Sequence, residues 1–199
     1  MRLKNILILC GAAIFLAACS TAPKPYVEEA PYAAYFNQLA VMQPYNATAF
    51  RGNISPVDFA GMGSHWQHER TLQDRGAKVD IFVPYGENYY NWTRQIRVTQ
   101  TITNGAAGVD HYYSNVVKPT YAARCYYSKN SSKILYKNKF NLVFEYQVKN
   151  CGKKPNQIII GRVMRSQNAL SSIAYSVKAS ELSDMERTDM VHLVTNATV

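Results

Sequence analysis

FNLVFEYQV, residues 140–148, decides how the chain folds. Phe140, Leu142, Phe144, Tyr146 and Val148 share one parity, and Asn141, Glu145 and Gln147 are polar on the other. A period of two sustained over this length marks a strand, because successive side chains leave a strand on opposite sides. Downstream, QIIIGRVMRS (157–166) and LSSIAYSVKAS (170–180) are two further strands, separated by the turn-like Gln167 to Ala169. Ser180 is then placed to cap a final helix over 181–193, docked by Leu182, Met185 and Val194.

Upstream, residues 105–123 change period. Val109, Tyr112, Tyr113, Val116 and Val117 recur as on one side of a helix, with Asn104 as its cap and Pro119 ending or kinking it. WTRQIRVTQTI (92–102) sets Trp92, Ile96, Val98 and Ile102 against a wet face of Thr93, Gln95, Arg97 and Thr99, with Arg94 at the rim of the apolar side. AKVDIFVPY (77–85) places Val79, Ile81 and Val83 opposite Asp80 and Phe82. HWQHERTLQDR (65–75) is a weaker, polar strand with Trp66, His68, Arg70 and Leu72 on one face, turning at Gly76. The order is three strands, a helix, three strands and a helix. It predicts an α+β domain over 50–199, with a mainly antiparallel sheet of about five to six strands and two helices on one face. Each half is strand, strand, strand, helix, which admits a β-β-β-α pseudo-repeat.

The chain has 199 residues and a formal charge of +9. Residues 1–18 carry Arg2 and Lys4, an apolar core from Ile6 to Phe15, and small residues before Cys19, the plan of a secretory signal peptide. The apolar run is shorter than the roughly 20 residues a spanning helix needs. Leu16, Ala17, Ala18 and Cys19 resemble the bacterial lipobox, which implies cleavage before Cys19 and acylation of its thiol and new amino group. Ser20 in the following position resembles the pattern sorted to the outer membrane. Residues 19–49, with prolines at 23, 25, 31 and 44, have the composition of an extended tether. Its tyrosines and Phe36 leave docking on a partner and packing on its own domain both open.

Processing leaves Cys125 and Cys151 in the mature domain. An even pair in an oxidising compartment reads as a disulfide, and closing a loop of that length contributes about 3.5 kcal/mol in the chain-entropy model. A nucleophilic cysteine or two inert thiols are the alternatives; no histidine lies between Arg124 and Gly152. Lys129, Lys133, Lys137, Lys139, Lys153 and Lys154 surround this loop with tyrosines among them. They are a candidate basic interface for anionic lipid, glycan or an acidic protein, and equally a solubilising face.

Other chemistry finds little purchase. His65 and His68 in HWQHE have neither the HExxH nor the HxxEH order, and in a strand they point to opposite faces. Ser64 lacks the GxSxG elbow, and Gly61 and Gly63 form no phosphate loop. The acidic residues offer no chosen pair for glycan hydrolysis. The expectation is a protein without catalytic, cofactor-binding or metal residues, with no nucleic acid and no small-molecule substrate.

FVPYGENYYNWTRQIRV, Phe82 to Val98, together with the lipobox, the proline-containing spacer and the cysteine pair, resembles accessory lipoproteins in the outer-membrane core of the Dot/Icm type IV secretion system. The resemblance implies a structural subunit that contacts other core subunits, is held on the outer membrane by its N-terminal lipid and faces the periplasm. The competing readings are a stand-alone envelope lipoprotein acting as a binding or inhibitory module, and a periplasmic hydrolase.

Overall fold

Alternating apolar and polar residues draw the chain into one antiparallel sheet in the computed structural model, which describes residues 26–27, 66–74, 77–102, 107–123, 125, 129–165 and 169–197. The strands are β1 (Tyr26–Val27), β2 (Trp66–Asp74), β3 (Ala77–Pro84), β4 (Arg94–Ile102), β5 (Lys129–Lys137), β6 (Asn141–Lys149), β7 (Gln157–Arg165) and β8 (Ala169–Val177). Their order across the sheet is β1-β5-β6-β7-β8-β4-β3-β2. Two meanders, β2 to β4 and β5 to β8, meet where β4 pairs β8 from Arg94↔Val177 to Ile102↔Ala169. The fold is α+β with a large antiparallel sheet, as the alternation predicts.

Seven long strands replace the expected five to six, because KNSSKILYK is a strand rather than a loop. Residues 129–133 are exposed, so no buried face imprints an alternation there. Lysines on an edge strand also discourage pairing with other chains. Its place is fixed by β6, from Lys129↔Lys149 to Lys137↔Leu142. On its outer side it pairs with β1, Tyr26↔Lys137 and Val27↔Tyr136, inside the segment read as spacer. A second difference lies in β2, where the register shifts between His68 and Arg70. Trp66 and His68 therefore share a face with Thr71, and Arg70 and Leu72 turn to the other, against the single-face expectation.

Helical segments cover opposite faces of the sheet, not one. On the first face, α1 (Val109–Tyr112), a π-turn (Tyr113–Val117) and α2 (Lys118–Ala122) pack on Leu142, Phe144, Tyr146, Ile159 and Val163. On the second, α3 (Asp184–Asn196) packs on Val143, Ile160, Ile173 and Tyr175. This breaks the pseudo-repeat. Antiparallel neighbours β4 and β8 are related only by an axis through the sheet, which would put both helices on the same side; the second half also has four strands.

The π-turn has a sequence cause. Buried Val109, Tyr113, Val117 and Tyr121 recur every four residues, and in a helix of 3.6 residues per turn that spacing drifts about 40° per step. The wider turn absorbs the drift, and Pro119 falls in the first turn of α2, where its missing N–H costs little, so α2 continues past it. Gly108 occupies the cap position expected of Asn104, which lies outside the described residues. Just after α2, Cys125 is bonded to Cys151 beyond β6, Cα to Cα 5.6 Å, which staples the end of the helical segment to the sheet.

On the other face, Ser183 rather than Ser180 caps α3, its hydroxyl accepting from the Glu186 amide at 3.2 Å. Met185 is 75% exposed, while Leu182 and Val194 dock as expected, with Met190, Val191 and Leu193. Polar contacts add to the apolar ones. Arg187 bonds buried Glu145 of β6, and Arg94 reaches Glu186 at 3.3 Å, so the rim arginine has an acidic partner. Arg162, 5% exposed on β7, donates to the Asn141 side-chain oxygen at 2.7 and 2.9 Å and to the carbonyls of Thr195 and Ala197 at 2.8 and 3.3 Å.

Gly161 tests the packing of the first face. A Cβ there would lie 2.4 Å from Phe144 Cζ and 3.0 Å from the Ile173 carbonyl oxygen, while Phe144 is itself held by the Tyr113 ring at 4.8 Å. Gly161→Ala is expected to lower unfolding free energy by about 1–3 kcal/mol in chemical denaturation, the range for overpacking a filled core.

Candidate interaction surfaces

The lysines that cluster in sequence separate in space. Lys129 and Lys149 are opposite each other at the disulfide end of the β5–β6 hairpin, and Lys153 and Lys154 lie in the turn beyond it. Lys137 and Lys139 stand at the other end, about 26 Å away at 3.3 Å per residue. Lys139 lies against the Phe140 ring, 5.4 Å from its centre. The six residues therefore form no single basic face.

A groove of about 530 Å³ instead collects Lys133 and Lys137 with Lys118, which the sequence reading passed over. It lies between the π-turn and β5, and its remaining wall includes Ser114, Ser132 and Tyr113. Lys137 donates to Asp110 of α1 at 3.0 Å. The Tyr113 hydroxyl is buried, with the Ser132 hydroxyl as its polar neighbour. Burial pushes its pKa up, and the nearby Ser132 hydroxyl tempers the rise. The legible clue is the four-residue spacing that runs past Pro119 to Tyr121; the lysine of the pair Lys118-Pro119 is carried to the groove by the turn that spacing demands.

A second surface lies diagonally across the sheet. Counting alternately antiparallel strands from β5, β3 is the fifth neighbour, about 24 Å away, and runs the opposite way, so Lys137 and Tyr85 fall at opposite ends. The loop 85–93 is densely wired. Glu87 accepts from the Thr93 amide and hydroxyl, both at 2.6 Å, and Asn88 accepts from the amides of Tyr90 and Asn91 at 3.0 and 2.9 Å. Gln67 donates to the Glu87 carbonyl at 2.8 Å, and Trp92 is buried with Lys178 over its ring. Yet Tyr85 is 66% and Tyr90 79% exposed. The Arg70 guanidinium lies 4.6 Å from the centre of the Tyr89 ring and 5.6 Å from that of Tyr90. The loop thus holds aromatic surface out in a fixed shape. Arg70 comes to this loop through the bulge in β2, which turns it away from the face of Trp66 and His68.

The polar cluster of β2 and β3 serves pairing. Thr71 donates to Asp80 Oδ1 at 2.6 Å, His68 Nε2 lies 3.3 Å from the same oxygen, and Lys78 bonds Oδ2 at 2.9 Å. Thr71 and Asp80 meet the same ring nitrogen of His68, so the imidazole does not bridge them as a base with an orienting acid would. Among the described residues no group of three or more His, Cys, Asp or Glu is placed to hold a metal ion, and no helix is long and apolar enough to cross a membrane. Gln95, expected on the wet face of its strand, is buried. Cys19, the signal segment, most of the spacer, Ser64 and His65 lie outside the described residues. No family model matches the chain, and no curated protein matches its sequence.

Burial pushes the Asp80 carboxyl up, but hydrogen bonds from Thr71, Lys78 and His68 and the Lys78 charge outweigh it, and the pKa falls below its ordinary value of 3.8. A depressed carboxylate stabilises the fold above its unfolded pKa and loses that contribution as pH falls through the folded one. The difference in unfolding free energy between the wild type and Asp80→Asn is expected to be flat above about pH 5 and to shrink as the pH drops further, measured by denaturant titration.

Proposed function

We propose that the protein is a lipid-anchored structural subunit of an outer-membrane secretion assembly of the type IV kind, contributing protein-protein contacts and no chemistry of its own. The observation that carries this reading is the loop 85–93. It is fixed by internal hydrogen bonds and yet directs Tyr85 and Tyr90 into solvent, with Arg70 over the rings of Tyr89 and Tyr90. Tyrosine and arginine are enriched at the centres of protein interfaces, and ordering them before binding removes part of the entropic cost of association. The lipobox at Cys19 supports placement on the outer membrane, where tethering raises the effective concentration of a domain for its neighbours. The resemblance of Phe82 to Val98 to accessory lipoproteins of the Dot/Icm core includes this same loop.

Gentle detergent extraction of the native membrane followed by sizing tests the reading. The wild-type chain is expected in a large particle, and the Tyr85→Ser/Tyr90→Ser variant is expected to leave it while keeping its melting temperature, each anchor tyrosine contributing about 2 kcal/mol or more. Recovery of the wild type as a single chain would instead favour a stand-alone lipoprotein.

A further inference from the structure

We propose that a second copy of the chain docks on the sheet face that carries α3, the α3 of each copy lying over the β5–β6 hairpin of the other. Residues directly opposite in an antiparallel pair share a face, and so do residues two apart along a strand. Glu145 meets Arg187 of α3, so Lys149 and its cross-strand neighbour Lys129 stand on the α3 side of the hairpin. Like charges set directly opposite weaken a hairpin. Among the described residues neither lysine has an ion-pair partner, and the buried Glu145 is engaged by Arg187.

α3 carries the opposite charge at the same end of the sheet. Asn156, in the turn beyond β6, accepts from the Asn150 amide at 2.9 Å and donates to the Ser180 hydroxyl at 2.9 Å, which fixes the approach to α3 beside that turn. Asp184, Met185 and Asp189 are exposed in the first turns of the helix. Glu186 is engaged by Arg94, whereas neither aspartate has an ion-pair partner among the described residues. A methionine exposed between carboxylates gives the stems of incoming lysines an apolar surface.

The occupant follows from this arrangement. α3 packs on Ile160 of β7 and on Ile173 and Tyr175 of β8, while the first half of β5 stays exposed. The face is therefore stepped, a raised helix beside an uncovered stretch of strand. A two-fold axis parallel to the strands turns one such face onto another, seats each helix on the other copy's exposed strand, and keeps the disulfide ends together. Asp184 and Met185 of each copy then meet Lys129 and Lys149 of the other, so every contact is made twice. Any other partner would have to match the step and carry both charges in the same places; a second copy has them already. The inference goes beyond the reading above and needs neither the lipid anchor nor the tyrosine loop, so failure of that reading would leave it standing.

Sedimentation equilibrium of the full chain carrying Cys19→Ser, so that no acyl chain links the copies, tests the contact. A dimer is expected at low salt, giving way to monomer as salt screens the charges. Lys129→Glu/Lys149→Glu and Asp184→Lys/Asp189→Lys are each expected to weaken it roughly tenfold or more, since like charges then face each other. Mixed together, the two variants are expected to pair with each other at wild-type strength, which a misfolded variant could not do. Met185→Ser is expected to weaken the dimer, whereas Lys137→Ala, at the far end of the hairpin, and Tyr85→Ser/Tyr90→Ser are expected to leave it unchanged. A wild-type chain that stays monomeric at low salt, a dimer indifferent to both charge reversals, or reversed variants that do not pair with each other would overturn the proposal.

Discussion

A cation buried on a central strand holds the architecture together. Burial lowers the pKa of Arg162 to about 10, so at neutral pH it remains charged, and it needs oxygen partners wherever it sits. It finds them on Asn141 of the neighbouring strand and on carbonyls at the end of α3. Those carbonyls are the ones a helix leaves unpaired, at the negative end of its dipole. One side chain thus ties β6, β7 and the last helix together. The Arg187 to Glu145 pair fixes the same helix nearer its start. The central strands are then covered on both faces, and the surfaces left for other molecules lie toward the edges.

The two edges differ in chemistry. On the β5 side, lysines and hydroxyls line a groove beside the strand that Tyr26 and Val27 add. On the β3 side, tyrosines project from a loop that cannot easily collapse. The tyrosine loop is the surface we propose for contacts with other proteins.

The alternation of residues 140–148 carried the fold class, and it carried more than one reading could use. Its even positions face the first helical segment, while Val143 and Glu145 on the odd positions face α3. A strand buried on both sides was read as buried on one, which is why both helices were expected together. KNSSKILYK was missed for the reverse reason: with its first half exposed on both faces, only hydrogen bonds to β6 reveal it as a strand. The cysteine pair was legible because its chemistry depends on compartment and count. The lysine set was not, because a hairpin carries residues eight apart in sequence to opposite ends, while the groove draws Lys118 from another element.

The contribution of Arg162 to stability tests this arrangement most directly. Chemical denaturation of Arg162→Leu is expected to show an unfolding free energy lowered by about 2 kcal/mol or more, because Asn141 and the carbonyls that end α3 lose their donor in a buried site. A variant as stable as the wild type would contradict the account.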